Sequence, residues 1–301
     1  MRILCAVDGS ECSKWGVQAL ETFAGREVEH IALVHVIDRQ VLRAARGRNP
    51  VAGRRARAAM QKAGEQLLRE AEGAAKAALG QAATASGTKF HRLLVQGPLA
   101  VSIAQQARRW KADLLVIGSR GLSDIKGFLL GSVSRRVAAM TPCALLVVKQ
   151  PPVPLRRVTL AVDDSKPSRA AAAFLRTRVL PDFAAVTILS SAENPVTDLA
   201  ARYLSESQLA ALTKPVMDRA TAVVNDLRDD FIKDGFSVTT QVELGHVIDT
   251  IVKQVEASDA DLLVIGSRVL TKSERLHLGS VSESLLRHAP CSVLIVRGTR
   301  A

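Results

Sequence analysis

Aromatic side chains are scarce in this chain. Phe, Trp and Tyr make up 3% of its 301 residues, with one tyrosine and two tryptophans, too few to build the stacking platforms that hold single-stranded nucleic acid. Cysteine is sparse as well. There are four, no two spaced as C-x-x-C, which excludes a disulfide scaffold and gives no signal for a zinc site or a thioredoxin-like motif. No uncharged apolar run approaches the roughly 18 residues of a membrane span. The first run, Ile3 to Val7, stops at Asp8, too early for a secretory h-region. Common phosphate and acyl-transfer signatures are also missing: no G-x-x-x-x-G-K-[ST], no G-x-G-x-x-G after the first strand, no G-x-S-x-G. These absences leave the reducing cytoplasm as the expected location. Neither a membrane nor a nucleic acid is the expected partner.

What is present is a foldable chain, 48% hydrophobic and 23% charged, long enough for two domains at about 150 residues each. Its charge is lopsided. Residues 1–150 hold 23 Lys and Arg against 11 Asp and Glu, whereas residues 151–301 hold 18 of each, so the net +12 lies entirely in the first half. Part of the excess is the run Arg39, Arg43, Arg46, Arg48, Arg54, Arg55 and Arg57. Such a segment favours polyanions or, more simply, is a solvated loop leading into a helix.

Internal repetition gives the organisation. ADLLVIGSR occupies Ala112 to Arg120 and again Ala260 to Arg268. At the same offset of 148, Leu130–Ser134 (LGSVS) returns as Leu278–Ser282, Pro142-Cys143 as Pro290-Cys291, and Gly97 as Gly245. Near each start, Ala6-Val7-Asp8-Gly9-Ser10 matches Ala161-Val162-Asp163-Asp164-Ser165 at an offset of 155. The chain therefore reads as a duplicated domain, 1–150 and 155–301, joined by the proline-rich Gln150–Pro154, which disfavours helix.

Within the first copy, the apolar runs Ile3–Val7, Ile31–Ile37, Leu93–Val95, Leu114–Ile117 and Ala144–Val148 read as strands. They lack polar alternation, which predicts burial on both faces. Helical spacing covers Ser13–Phe23, about Arg54–Ala85, Leu99–Trp110 and Ser132–Met140. Strands alternating with helices predict right-handed crossovers and a doubly wound parallel sheet of the α/β class. The second copy repeats the scheme at Val158–Val162, Val186–Leu189, Val238–Val242, Leu262–Ile265 and Val293–Val296.

In such sheets ligands bind beyond the carboxyl ends of the strands, where strand order reverses. Asp8-Gly9-Ser10 follows the first strand. Gly118-Ser119-Arg120-Gly121 follows the fourth, then a nine-residue loop, then Gly131-Ser132 opening a helix. Glycines at 118 and 121 would let main-chain amides approach an anion. Gly131, Ser132, Val133 and Ser134 would offer the unpaired N–H groups of a helix start, and the two serine hydroxyls further hydrogen bonds. Asp8 would repel phosphate and suit ribose hydroxyls. The alternative for Gly118 and Gly121 is a tight turn with no ligand.

The spacing G-x2-G-x9-G-[ST] of Gly118, Gly121, Gly131 and Ser132 resembles the ATP-binding signature of the universal stress protein family. So do Val7–Ser10 (VDGS), Leu33–Val36 (LVHV), the ADLLVIG run and the closing PCALLVV. The likeness covers both halves, a tandem arrangement. It implies five-stranded domains with strand order 3-2-1-4-5. Asp8 would meet ribose, the backbone of Val36 would face adenine, and Gly9 and Ile117 are further candidate nucleotide-binding residues. Gly118, Arg120 and Gly121 would wrap the phosphates, completed by Gly131, Ser132, Val133 and Ser134. It further implies an ATP-binding, stress-response regulator with little or no turnover, Mg²⁺ accompanying ATP through its phosphates and Ser132. An unknown protein partner, pairing of the two copies as an intramolecular pseudo-dimer through their last strands, and a homodimer are the assembly expectations. Two alternatives stay open: a slow ATP-hydrolysing or adenylating enzyme, although neither HIGH nor SGGxDS occurs, and a scaffold with vestigial sites.

The second copy departs from the pattern: Val269 replaces the second glycine, Ser191 stands at the place of Val36, and Asp164 replaces Gly9. These changes predict a degenerate site and one nucleotide per chain. Elsewhere, Cys5, Cys143 and Cys291 read as small core residues and Cys12 as the one candidate for reactivity. His35 reads as structural, and His246 and His277 lack metal spacing. Lys126 and Arg120 could neutralise a triphosphate.

Overall fold

A computed structural model describes residues 1–39, 50–85, 87–121, 130–196, 199, 202–268 and 278–298. The described residues divide into two compact units, one of those in 1–153 with Leu278 and the other of those in 154–268 and 279–298. In the first, β1 (Arg2–Ala6) leads to α1 (Glu11–Gln18), a 3₁₀ turn (Ala19–Phe23) and β2 (His30–Asp38). The long α2 (Pro50–Ala85, broken at Gly80) connects to β3 (Lys89–Gly97). Then come α3 (Leu99–Arg109), β4 (Leu114–Gly118), α4 (Ser132–Met140) and β5 (Ala144–Val148). All pairings are parallel, in the order β3-β2-β1-β4-β5. β1 is central, with Ile3 opposite Ile31 on one side and Leu114 on the other.

The second unit repeats the plan with β6 (Arg157–Val162), α5 (Lys166–Phe174), β7 (Ala185–Ala192), α6 (Glu206–Lys233), β8 (Ser237–Leu244), α7 (Val247–Ala257), β9 (Leu262–Ser267), α8 (Ser280–His288) and β10 (Ser292–Arg297). Its order, β8-β7-β6-β9-β10, is the same 3-2-1-4-5 winding. The duplication extends to backbone detail. Lys111 and Asp259, 148 residues apart, are the two non-glycine residues with positive φ among those described, each in the turn before the fourth strand.

Burial explains the elements. Ile3, Leu4, Ile31, Leu33, Leu114 and Leu115 are fully enclosed between helical layers, as continuous apolar runs require. β3 differs. It is nine residues long rather than three, and mixes exposed with half-buried positions. It is the edge strand, so Lys89, His91, Arg92 and Gln96 are tolerated, and the apolar run alone underestimates it. At the helix starts, Ser10 and Ser165 cap α1 and α5, each accepting the N–H three residues on. No described helix is long and apolar enough to cross a membrane.

At the amino end of the first sheet, His30 Nδ1 lies 3.1 Å from His91 Nε2. Trp110 packs edge-on against both rings, and the Arg2 guanidinium lies over the indole at 4.9 Å. Desolvation, then the charges of His91, Arg2 and Lys89, hold His30 below its ordinary 6.5, with Glu29 opposing. Below that ordinary value the unfolded chain therefore binds more protons than the native one. The contribution to stability is complete above about pH 6.5 and is lost as pH falls through the lowered native value. Urea unfolding at pH 7 and pH 5 is expected to show lower stability at pH 5, with His30→Gln reducing that difference.

Candidate functional site

The loops at the carboxyl ends of β1, β2 and β4 surround a cavity that is open to solvent. Its walls are apolar: Val34 and Val36 from β2, Leu99 and Ile103 from α3, Ile117 from β4, Val133 from α4. Its polar groups come from the ends of two adjacent strands, Asp8 after β1, and Gly118, Arg120 and Gly121 at and after the end of β4. Of the residues named from sequence, Asp8, Val36, Ile117, Gly118, Arg120, Gly121, Val133 and Ser134 line this one space. Gly9, Gly131 and Ser132 flank it in the same loops, outside the lining. Val269, His277, Lys126 and the arginines at 43, 46 and 48 lie outside the described residues.

The Asp8 loop is shaped by short hydrogen bonds. Ser10 donates to Asp8 Oδ1 from its N–H at 2.9 Å and from its hydroxyl at 2.6 Å. The amides of Asp8 and Gly9 point at Ser13 Oγ, 3.4 and 3.2 Å away. Gly9 has φ +86°, in the left-handed region that other residues avoid. Ser10 Oγ also reaches the Arg120 carbonyl at 3.3 Å, joining the loop after β1 to the loop after β4.

At α4 the expected roles need revision. The Gly131 N–H, expected to be unpaired, donates to the Ser119 carbonyl at 2.8 Å. The Ser134 hydroxyl, expected to face a ligand, is 3% exposed and donates to the carbonyls of Gly118 at 2.8 Å and Ser119 at 2.9 Å. Both groups therefore brace the exit of β4. The remaining anion donors of this helix are the amides of Ser132, Val133 and Ser134, which as its first three residues have no intrahelical acceptor. No side chain caps them, because the N-cap is Gly131. Ser132 is exposed and available from solvent.

Gly118 also has a different reason for being glycine. A β-carbon there would lie 2.6 Å from the carbonyl carbon and oxygen of Cys12, so the missing side chain admits α1, not a ligand. Gly266 in the second copy is constrained alike, its β-carbon falling 2.4 Å from the Pro167 carbonyl carbon.

The second copy fixes its carboxylate differently. Asp163 Oδ1 accepts from the hydroxyls of both Ser165 and Ser168. Asp164, where the first copy has Gly9, does not take positive φ and lies 3.8 Å from Arg169. Cys12, singled out for reactivity, is buried at 5% exposure, and burial pushes the Cys5 thiol up to about 12. Cys291 is buried and Cys143 half-buried.

Leu99 and Ile103 were missed as site residues. The signal was present in Gly97-Pro98, which ends β3 and starts α3 at the same carboxyl edge. Ser13 and His35, also in the lining, carry no ligand motif that sequence reasoning could use.

Comparison with known proteins agrees with this architecture. Residues 1–149 and 154–297 each match the Universal stress protein family. A universal stress protein of Methanocaldococcus jannaschii is 29% identical over 150 residues, 50% of this chain and 82% of that one. Another, of Thermus aquaticus, is 40% identical over 85 residues, 28% of this chain and 62% of its own length. The crystal structure of a universal stress protein from Archaeoglobus fulgidus has TM-score 0.71 over 99% of this chain and 98% of its own at 22% identity, a likeness of fold.

The packing reading of the glycines has a direct consequence. Gly118→Ala and Gly266→Ala each place a β-carbon against backbone that cannot swing aside, which costs roughly 1–3 kcal/mol. Denaturant unfolding is expected to show comparable losses for the two variants, although the copies differ at the mouth of the site.

Proposed function

Because the chain belongs to the universal stress protein family in two tandem copies, we propose that its first copy binds an adenine nucleotide, ATP, and that the protein acts as a regulator whose conformation or partner choice responds to that ligand. The observation that carries the proposal is one cavity whose lining combines the Asp8 carboxylate, apolar walls and residues Val133 and Ser134 of the α4 start. The base would lie against Val36, Ile117 and Ile103. Asp8, oriented by Ser10, would accept from the ribose hydroxyls. The polyphosphate would lie along Gly118–Gly121 and the α4 amides, where aligned peptide dipoles place partial positive charge, with Arg120 adding a full one.

Binding with little turnover is the reading its side chains favour. The Ser13 hydroxyl donates to the Ser10 carbonyl at 3.0 Å and that of Ser134 to Gly118 and Ser119, so both lining serines are occupied in holding backbone. Among the described residues no group of three or more His, Cys, Asp or Glu could hold a metal. The donor set therefore fits a Mg²⁺ carried by the nucleotide's own phosphates, with the Ser132 hydroxyl as the contribution of the chain.

In the second copy Asp163 is engaged by two hydroxyls, and Asp164 and Ser191 replace Gly9 and Val36, so one nucleotide per chain is proposed. Native mass spectrometry with ATP is expected to show a single bound nucleotide, and Asp8→Asn to weaken binding about tenfold, one charge-assisted hydrogen bond's worth. Two nucleotides per chain would refute the asymmetry. No binding at millimolar ATP would refute the function, and sustained ATP turnover abolished by Asp8→Asn would replace it with an enzymatic one.

A further inference from the structure

We infer that His35 is a positioning residue for the proposed nucleotide site, fixing the Asp8 carboxylate for the ribose through the backbone of Val7. The inference rests on the nucleotide reading above and deepens it.

The ladder between β1 and β2 ends at Ala6 opposite Val34. One residue further, the chain would be free to leave the sheet, yet Val7 is held at both polar groups. Its N–H donates to the Val34 carbonyl at 2.9 Å. Its carbonyl lies 2.8 Å from Nδ1 of His35. A carbonyl can only accept, so the Nδ1 of His35 carries a proton in this contact. The imidazole thus replaces a missing ladder bond and carries the sheet geometry one peptide beyond its end, to the residue directly before Asp8.

The ring itself has little freedom. On its other edge, a β-carbon at Gly64 of α2 would come within 3.0 Å of His35 Cδ2 and 2.7 Å of Leu94 Cδ1. Helix α2 therefore closes down on the ring, while His35 still lines the cavity. A side chain fixed between a helix and the Val7 carbonyl can transmit its position to the next residue, Asp8.

The second copy is an internal control. Ser190 occupies the matching position, 155 residues on, and is buried. Its side chain is one bond shorter and has no ring. There the carboxylate is tied directly, Asp163 accepting from Ser165 and Ser168. Both copies place a serine hydroxyl on the carboxylate, Ser10 on Asp8 and Ser165 on Asp163; the first adds the His35 bond to the preceding carbonyl, whereas the second adds the hydroxyl of Ser168.

Replacing His35 by Phe keeps a planar ring under Gly64 and removes the Nδ1 donor. If His35 acts through Asp8, His35→Phe weakens ATP about tenfold and leaves 2′,3′-dideoxy-ATP within twofold of its wild-type affinity, because the dideoxy sugar never used the carboxylate. His35→Asn, whose amide nitrogen stands near the Nδ1 position, restores much of the preference for ATP. Equal weakening of both nucleotides, no weakening of either, or a Phe-like Asn variant would overturn the inference while wild-type binding still upheld the nucleotide reading. Loss of binding in the wild type would remove both. An arm independent of any ligand is the imidazole ¹⁵N spectrum of the unliganded protein. It is expected to show His35 protonated at Nδ1, and a neutral ring protonated at Nε2 alone would overturn the inference.

Discussion

Helix α1 approaches the end of β4 so closely that a single methyl group at residue 118 would collide with the main chain of Cys12. This contact sets the geometry of the carboxyl edge of the first unit. With α1 at that depth, its N-cap Ser10 comes to rest between two loops, its hydroxyl 2.6 Å from Asp8 Oδ1 and 3.3 Å from the Arg120 carbonyl. The third segment is secured from α4, where Ser134 Oγ and the Gly131 N–H both bond to carbonyls at the β4 exit. The loop after β1 and the two ends of the β4–α4 connection are thereby held by side-chain and main-chain bonds to one another's backbone. Such a site is organised before a ligand arrives, which lowers the ordering cost of binding.

The same contact recurs in the second unit, where Gly266 lies under Pro167, and this changes what the shared glycine means. A residue needed for helix packing persists whether or not a ligand binds. Its presence in both copies reports a common fold rather than a common function. Gly9 is different in kind. Its φ of +86° serves the shape of the Asp8 loop, and where the second copy has Asp164 the backbone takes another course. The informative differences between the copies are therefore in the loop after the first strand and at the end of the second, not in the glycine that opens the phosphate signature.

The α/β class and the duplication were legible because buried parallel strands leave uninterrupted apolar runs and because ADLLVIGSR appears twice, whereas the strand order came from the family resemblance alone. Element limits were legible for the fully buried strand Ala144–Val148 and, from its apolar spacing, for the half-buried helix Ser132–Met140. They were not at β3, whose outer edge admits charge and breaks the run. Asp8 and the glycine spacing pointed to the edge of the sheet that carries the cavity. The roles within it were only half found. Sequence marks which residues sit at a helix start, but not that Ser134 turns inward to two carbonyls, since a hydroxyl serves backbone or ligand equally well. Nor does it mark Leu99 and Ile103 as walls, because that depends on α3 entering at the β3 end of the same cavity.

The placement of charge constrains what can occupy that cavity more tightly than its shape does. A carboxylate at Asp8 opposes a small multivalent anion anywhere near it, so inorganic phosphate or sulfate gains at the α4 amides what it partly loses to Asp8. The apolar lining of Val36, Ile117 and Val133 offers such an ion nothing. A molecule suits both ends only when it carries neutral hydroxyl donors and a flat apolar body at some distance from its negative charge. Nucleotides meet that requirement, since the sugar separates base from phosphate. On the proposed nucleotide reading the opposed signs would act as selection: the amides alone would take many anions, and the carboxylate would disfavour those that bring no hydroxyl to satisfy it.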